Sequence, residues 1–221
     1  MVEREVKVYP RFERFWHWTQ MLLILLLLVT GLRISGLHAL MPFKAAFAVH
    51  TLSALALIVL WLFAIFWHVT TGTWVHYVPR LDGVFSVLRY YTWGIFKGEH
   101  HPYRKRYWRK HNPLQVLAYL VLKLVLFPAI WISGLLYVTY TFWSDVPEAP
   151  LWLELVANIH LLAAYAILAF VIAHVYLLTT GHSFREHVRP MLTGYATVAL
   201  SPEEEAYLEA DEPARIRPKT A

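Results

Sequence analysis

The 221-residue sequence contains no cysteine. A chain without thiols forms no disulfide, and it holds neither a cysteine-ligated iron–sulfur cluster nor a cofactor attached through thioether bonds. Charged residues are also scarce, since Asp, Glu, Lys and Arg make up only 16% of the chain, against roughly a quarter in soluble domains. Any metal bound by this chain must therefore have nitrogen or oxygen ligands, and the chain is unlike an ordinary soluble protein.

Several signatures of enzymatic chemistry are missing as well. The sequence has no phosphate-binding glycine loop, no nucleophile elbow and no paired-carboxylate constellation. It also has no internal repeat and no low-complexity tract. These absences give no support for bond chemistry catalysed by this chain alone.

Hydrophobic residues, in contrast, make up 58% of the chain. They form four runs, and each has at least the ~20 residues that a helix needs to cross the hydrocarbon of a bilayer. The runs cover residues 15–36, 45–70, 114–138 and 151–180. The first run lacks a small-residue cleavage site, so we expect it to remain as a permanent helix rather than a signal peptide.

The predicted fold class is an all-α membrane protein, a four-transmembrane-helix bundle over residues 1–195. A loop of residues 71–112 separates the second and third helices. The remaining residues, 196–221, form a charged tail that we expect to be poorly ordered or bound to a partner.

The net charge of +5 is distributed unevenly along the chain. Basic residues concentrate before the first run and in loop 71–112, whereas the two opposite connections carry only Lys44 together with Asp145 and Glu148. The positive-inside rule then places both termini and the long loop in the cytoplasm, for a multi-pass protein of the bacterial inner membrane. This distribution favours membrane lipid or an acidic partner surface over nucleic acid.

Two histidines interrupt the fourth apolar run. His160 and His174 are fourteen residues apart, which separates them by about 21 Å along a helix and keeps them within about 40° of one face. Ionisable groups inside a bilayer are costly and usually functional, and neutral imidazole is a common axial ligand of haem iron. One helix with this spacing could supply a ligand to each of two haems, one near each membrane surface.

Other histidines lie at matching depths in the first two helices. His50, near the outer start of the second helix, pairs by depth with His160. Two candidates exist for the partner of His174, namely His17 at the inner end of the first helix and His68 in the second. His68 lies about 27 Å below His50 and so falls about 6 Å too far toward the cytoplasm, and we therefore choose His17.

Three further residues fit this arrangement. Arg14 shares a helix face with His17, one turn nearer the water, and could pair with a propionate of the inner haem. Gly31 and Ala64 are small residues at the depths where their helices carry no ligand. They would let either a flat macrocycle or another helix approach closely.

The long loop ends in Lys110-His111-Asn112-Pro113-Leu114-Gln115, which opens the third helix. Asn112 and Gln115 are three residues apart and could offer amide groups to a carbonyl-bearing ligand at the inner surface. The alternative is that Asn112 caps the helix, which requires no ligand.

Together these residues resemble the four-helix dihaem cytochrome b subunits of respiratory hydrogenases, formate dehydrogenases and thiosulfate reductases, a family similar to bacterial cytochrome b561. The resemblance covers about residues 10–190 and rests on Arg14-Phe15-Trp16-His17-Trp18, on His50, on the Lys110 to Gln115 motif and on the spacing of His160 and His174. It implies two haem b groups, held by His17 with His174 and by His50 with His160. In similar formate dehydrogenase subunits the Asn and Gln of this motif lie beside a quinone, which implies quinone contacts at Asn112 and Gln115.

The main hypothesis from the sequence is a membrane anchor and electron conduit. Two haems would pass electrons between an iron–sulfur, ferredoxin-like subunit outside and a quinone, menaquinone or ubiquinone, near the inner face. Substrate chemistry would take place in a catalytic hydrogenase or molybdopterin subunit. Two alternatives are a free-standing cytochrome b561-like quinone reductase and a haem-free transporter or scaffold whose histidines form a proton path.

Overall fold

The structure is a computed structural model that describes residues 1–79, 81–100, 102–103, 108, 110–179 and 184–218. Most of the described chain is helical. In chain order the elements are β1 (Val2–Lys7), α1 (Arg11–Ile34), α2 (Phe43–Thr70), α3 (Val84–Thr92), α4 (Pro113–Val138), α5 (Ala149–Leu178), α6 (Phe184–Thr193), β2 (Tyr195–Leu200) and α7 (Pro202–Asp211). Several basic residues of the long loop, Arg80, Arg104, Lys105, Arg106 and Arg109, lie outside the described residues.

Four helices, α1, α2, α4 and α5, are long and apolar enough to cross a membrane. Their ends lie close to those of the four apolar runs in the sequence. Large apolar side chains remain exposed along them, with Leu52 68%, Leu124 70% and Leu162 73% exposed. Because helices satisfy their own backbone hydrogen bonds, such apolar outer surfaces suit hydrocarbon.

Helix α4 contains one irregular turn. Residues Leu122–Leu126 form a π-helical turn that ends two residues before Pro128. Proline has no backbone N–H to donate and its ring collides with the carbonyl one turn earlier in a regular helix. The wider π turn lets α4 continue through this proline to Val138.

The described chain forms two compact units. The second unit comprises Trp18–Thr70 and Tyr119–Val175 and so contains most of the four long helices. Within it, the Trp61 ring packs edge-on against Phe127 at 4.7 Å and Trp131 at 5.1 Å between ring centroids. The Trp61 indole N–H donates to Gln20 Oε1 at 3.0 Å, so this aromatic contact joins α1, α2 and α4.

The first unit comprises Met1–His17, Thr71–Ala118 and Tyr176–Ala221. It contains a two-stranded antiparallel sheet in which β1 pairs with β2, from Val2 opposite Leu200 to Lys7 opposite Tyr195. The apolar core beneath the sheet consists of Val6, Val8, Val198, Leu200, Leu208 and Ile216. The sheet corrects the all-α prediction, because the fold is mostly helical but not entirely so.

Helix α7 covers this small core. Ser201 and Glu204 form a reciprocal capping box at its start, and Pro202 occupies the first turn. The side chain of Leu208 on α7 is fully buried. The expectation of a poorly ordered tail is therefore wrong for the described residues up to 218.

Gly194 joins the two ends of the chain at the edge of the sheet. Its carbonyl accepts hydrogen bonds from the amides of Val8 at 2.9 Å and Tyr9 at 3.1 Å. Its φ is +91°, and a Cβ here would lie 2.8 Å from the Tyr9 carbonyl oxygen. Only glycine fits this position without a shift of the backbone.

Candidate functional site

His50 and His160 lie side by side in the second unit, one near the start of α2 and the other in the first half of α5. Their ring centroids are 6.2 Å apart, and the ring planes make an angle of 62°. Two imidazoles bound to opposite sides of one metal ion, each by a bond of about 2 Å, have centroids about 6 Å apart. The spacing of the two rings therefore fits a single metal ion between them.

Each of these imidazoles is held by a hydroxyl group from a neighbouring helix. Thr30 Oγ1 on α1 lies 2.9 Å from His50 Nδ1, and Ser133 Oγ on α4 lies 3.1 Å from His160 Nδ1. Both hydroxyl residues are buried, with Thr30 1% and Ser133 3% exposed. Histidines on α2 and α5 are thus oriented by partners on α1 and α4.

A glycine follows each hydroxyl residue and lies against the same ring. A Cβ on Gly31 would be 3.4 Å from His50 Cε1, and one on Gly134 would be 3.1 Å from His160 Cε1. The space that Gly31 leaves therefore receives the imidazole of His50. The sequence alone predicts only that Gly31 lets a macrocycle or another helix approach closely.

Sequence reasoning missed Thr30, Ser133 and Gly134. A signal was present, because Val29-Thr30-Gly31-Leu32 and Ile132-Ser133-Gly134-Leu135 share one pattern of a β-branched residue, a hydroxyl residue, glycine and leucine. The pattern occurs once in the first apolar run and once in the third. It marks the two helices, α1 and α4, that contact the rings of His50 and His160, rather than the two helices that carry these histidines.

The predicted inner ligands lie in different units of the structure. His17 belongs to the first unit and His174 to the second, and each is half-buried. The ring of His174 stacks on Phe170, one turn earlier on α5, with centroids 6.0 Å apart and planes 13° from parallel. The pairing of His17 with His174 stays a prediction.

Arg14 lies at the start of α1 in the first unit. Its guanidinium donates a hydrogen bond to the Leu192 carbonyl. Its Nε is shielded from solvent and has no hydrogen-bond partner among the described residues. This guanidinium N–H can donate a hydrogen bond to a carboxylate, such as a propionate.

His68, the alternative inner candidate, is buried near the end of α2. Its Nδ1 lies 2.5 Å from the Ala64 carbonyl oxygen, one turn earlier on the same helix. Ala64 is itself 2% exposed. The contact with Ala64 accounts for one ring nitrogen of His68 without any ligand.

Asn112 and Gln115 cap helix α4 in the first unit. The Asn112 side-chain oxygen accepts a hydrogen bond from the backbone N–H of Gln115 at 2.8 Å. In return, the Gln115 side-chain oxygen accepts one from the backbone N–H of Asn112 at 3.0 Å. The Asn112 Nδ2 donates to the Tyr91 hydroxyl at 3.3 Å. Their three-residue spacing is thus explained by a reciprocal cap, and any further ligand would meet their N–H groups rather than their oxygens.

A buried ion pair holds the end of the long loop next to this cap. Lys110 Nζ lies 2.7 Å from both carboxylate oxygens of Glu13, and the two side chains are 7% and 8% exposed. Burial lowers the pKa of Lys110, although the Glu13 carboxylate opposes this shift. Burial likewise raises the pKa of the Tyr91 hydroxyl.

The metal-ligating side chains around His50 and His160 limit what these two histidines can bind. Among the residues that the structure describes, no group of three or more His, Cys, Asp or Glu side chains is arranged to hold a metal ion. His50 and His160 could instead hold a haem, whose porphyrin would supply the other nitrogen ligands of the iron. Four membrane-length helices with such a pair define the class of helical membrane haem proteins.

Comparison with known proteins gives the family. The prokaryotic cytochrome b561 family matches residues 8–194, and the chain belongs to this family. The chain is also similar to "Putative cytochrome YdhU" of Escherichia coli (strain K12), with 32% identity over 200 residues that cover 86% of this chain and 74% of that protein. No solved structure matches the chain.

Family membership fixes the general role. The chain is a membrane cytochrome that binds b-type haem and transfers electrons. The predicted likeness to bacterial cytochrome b561 is thereby confirmed at the level of the family. The haem-free transporter or scaffold is not supported, because the family binds haem.

Proposed function

We propose that the chain is the membrane-anchoring dihaem cytochrome b subunit of a respiratory oxidoreductase complex. It carries electrons across the membrane between an iron–sulfur partner subunit and the quinone pool. The observation that carries this proposal is the pair His50 and His160, whose ring centroids lie 6.2 Å apart. The same helix, α5, carries His174 fourteen residues after His160, about 21 Å further along the helix axis. One helix thus supplies a ligand to each of two haems.

The outer haem is held by His50 and His160. A bound haem supplies a one-electron couple, because its iron changes between the ferrous and ferric states. The chain itself holds and orients the two imidazoles through Thr30 and Ser133. The apolar residues of the four helices keep water away from the site.

The inner haem is held by His17 and His174, and this part of the proposal rests on spacing along the sequence. Arg14 binds one of its propionates. The support for this role is the Arg14 Nε, which is shielded from solvent and lacks a partner among the described residues.

A quinone, menaquinone or ubiquinone, binds near the inner haem. Asn112 and Gln115 contact its carbonyl oxygen through side-chain N–H groups, since their oxygens accept from the backbone in the cap of α4. Both chain termini and the loop of residues 71–112 face the cytoplasm, on the strength of the positive-inside rule. The catalytic partner is a hydrogenase or molybdopterin subunit.

Family membership fits a free-standing cytochrome b561-like quinone reductase equally well. The two proposals differ in what accompanies the chain. Purification in mild detergent retains an iron–sulfur subunit if the chain is a membrane anchor. A chain that leaves the membrane alone, and still reduces quinone, supports the free-standing reductase.

The haem content of purified variants tests the ligand assignment. Wild-type protein is expected to bind two haem b groups per chain in a pyridine haemochrome assay. H50A and H160A each lose one and the same haem, H17A and H174A each lose the other, and H68A is the matched control that keeps both. A wild-type chain with a single haem, or the loss of a haem in H68A, would contradict the assignment.

A further inference from the structure

Two helices that carry no outer ligand present the same pair of residues to the two ligating rings. Thr30-Gly31 on α1 meets His50, and Ser133-Gly134 on α4 meets His160. In both places the hydroxyl lies at Nδ1 and the glycine lies against Cε1. Because the same contact occurs at both histidines of the site, we expect it to have the same role at each of them.

The hydrogen atoms of these contacts can be assigned by counting. A hydroxyl group has one hydrogen, and Thr30 directs it to the Leu26 carbonyl at 2.6 Å while Ser133 directs it to the Ala129 carbonyl at 2.6 Å. Toward the imidazole each hydroxyl oxygen can then only accept. The hydrogen between them must come from the ring.

The ring nitrogen in each contact is Nδ1, since Thr30 Oγ1 lies 2.9 Å from His50 Nδ1 and Ser133 Oγ lies 3.1 Å from His160 Nδ1. Both neutral rings therefore carry their hydrogen on Nδ1, which leaves the lone pair on Nε2.

We infer that Thr30 and Ser133 are positioning residues that hold His50 and His160 as Nδ1–H tautomers, with Nε2 directed to the haem iron. Gly31 and Gly134 leave the room that this ring orientation needs. The inference rests on the proposed haem at these two histidines. Donation from Nδ1 makes an imidazole a stronger electron donor, so the two hydroxyls stabilise the ferric state of this haem.

The test replaces the hydroxyls and measures the midpoint potential of each haem by redox titration in the full-length protein. T30V and S133A each shift one haem to a higher potential, and the double variant shifts it further. T30S keeps the hydroxyl and stays at the wild-type value. The affected haem is the one that disappears in H50A and H160A, while the potential of the other haem is unchanged.

T139V is the matched control. The Thr139 hydroxyl makes the same bond to the carbonyl one turn earlier, Leu135 at 2.7 Å, but it makes no hydrogen bond with an imidazole among the residues that the structure describes. Its loss leaves both potentials unchanged. Equal potentials in wild type, T30V and S133A overturn the inference, and so does a shift in T139V as large as in T30V.

Loss of haem in T30V is also informative. Removal of a residue that hydrogen-bonds to a metal ligand typically lowers the affinity for the metal by about 10- to 100-fold. Recovery of that haem in T30S supports the inference, and failure to recover it overturns the role of the hydroxyl. A different result would contradict the proposed function itself. That result is a wild-type protein that loses no haem on substitution H50A or H160A.

Discussion

At the scale of single residues, the outer site depends on how closely two helices approach two imidazole rings. Glycine at positions 31 and 134 removes the side chain that would otherwise meet each ring. The space is tighter at Gly134, where a Cβ would be 3.1 Å from the ring, than at Gly31, where it would be 3.4 Å away. A contact of 3.4 Å is close to ordinary packing, whereas one of 3.1 Å requires the ring to move.

This difference predicts unequal effects of one methyl group. G134A is expected to reduce the occupancy of the proposed outer haem more than G31A, because only the former displaces a ring, that of His160. The measurement is the haem-to-protein ratio and the reduced absorbance spectrum of each variant. An effect of G31A as large as that of G134A would contradict this order.

At the scale of elements, the two ends of the chain form one small folded region. A two-stranded sheet is marginally stable alone, and this one is supported by α7 and by Ile216, which bridges to Val6. Arg4, buried in β1, binds Glu205 of α7, as well as Glu209 at 3.2 Å and the Arg217 carbonyl at 3.0 Å. A buried guanidinium with several acceptors is stable where an unpaired one is not.

Removing the apolar contact of α7 should loosen this region without disturbing the haems. L208A, at a fully buried position, is expected to cost about 2–5 kcal/mol in the local unfolding of the sheet. Hydrogen exchange of the β1 and β2 amides measures the effect. L192A is the control because Leu192 is 59% exposed, and protection that survives L208A would show that the sheet does not depend on α7.

At the scale of the whole molecule, the distribution of charge predicts the orientation in the membrane. Basic residues lie before α1 and between α2 and α4, while the opposite connections carry few charges. Positively charged segments stay on the cytoplasmic side during insertion. In the proposed orientation, the loop of residues 71–112 and both chain termini face the cytoplasm, on the side of the proposed quinone.

The absence of cysteine makes this orientation simple to test. S144C lies in the exposed connection between α4 and α5, and S86C lies at an exposed position in α3. A membrane-impermeant maleimide should label S144C in spheroplasts, and it should label S86C only after the membrane is opened. The unsubstituted protein is the control, and the reverse labelling pattern would contradict the proposed topology.

Much of the architecture could be predicted because the signals are local. Hydropathy summed along the chain locates the four long helices, and the regular rise of a helix relates His160 to His174. The same reasoning brings His50 and His160 together, and their rings lie side by side in the structure. The family resemblance implies the same four histidines that the helical spacing selects.

Other features escaped the sequence because they join distant segments. In the sequence, the residues of β1 form only a short charged stretch. They become a strand because β2, almost two hundred residues later, pairs with them. The tail is rich in charged residues, yet its few apolar residues meet Val6 and Val8 in one core. At Asn112 the sequence left two roles open, and the reciprocal bonds with Gln115 establish the cap.

The sequence by itself therefore determined the number of membrane helices, the apolar surroundings of the site and the four candidate ligands. Only the tertiary structure decided that Thr30 meets His50, that Ser133 meets His160, and that Gly31 and Gly134 make room for the rings. The physical reason is that helix formation and membrane insertion depend on residues close in sequence. A contact between two helices depends in addition on how each helix is rotated and packed against the other.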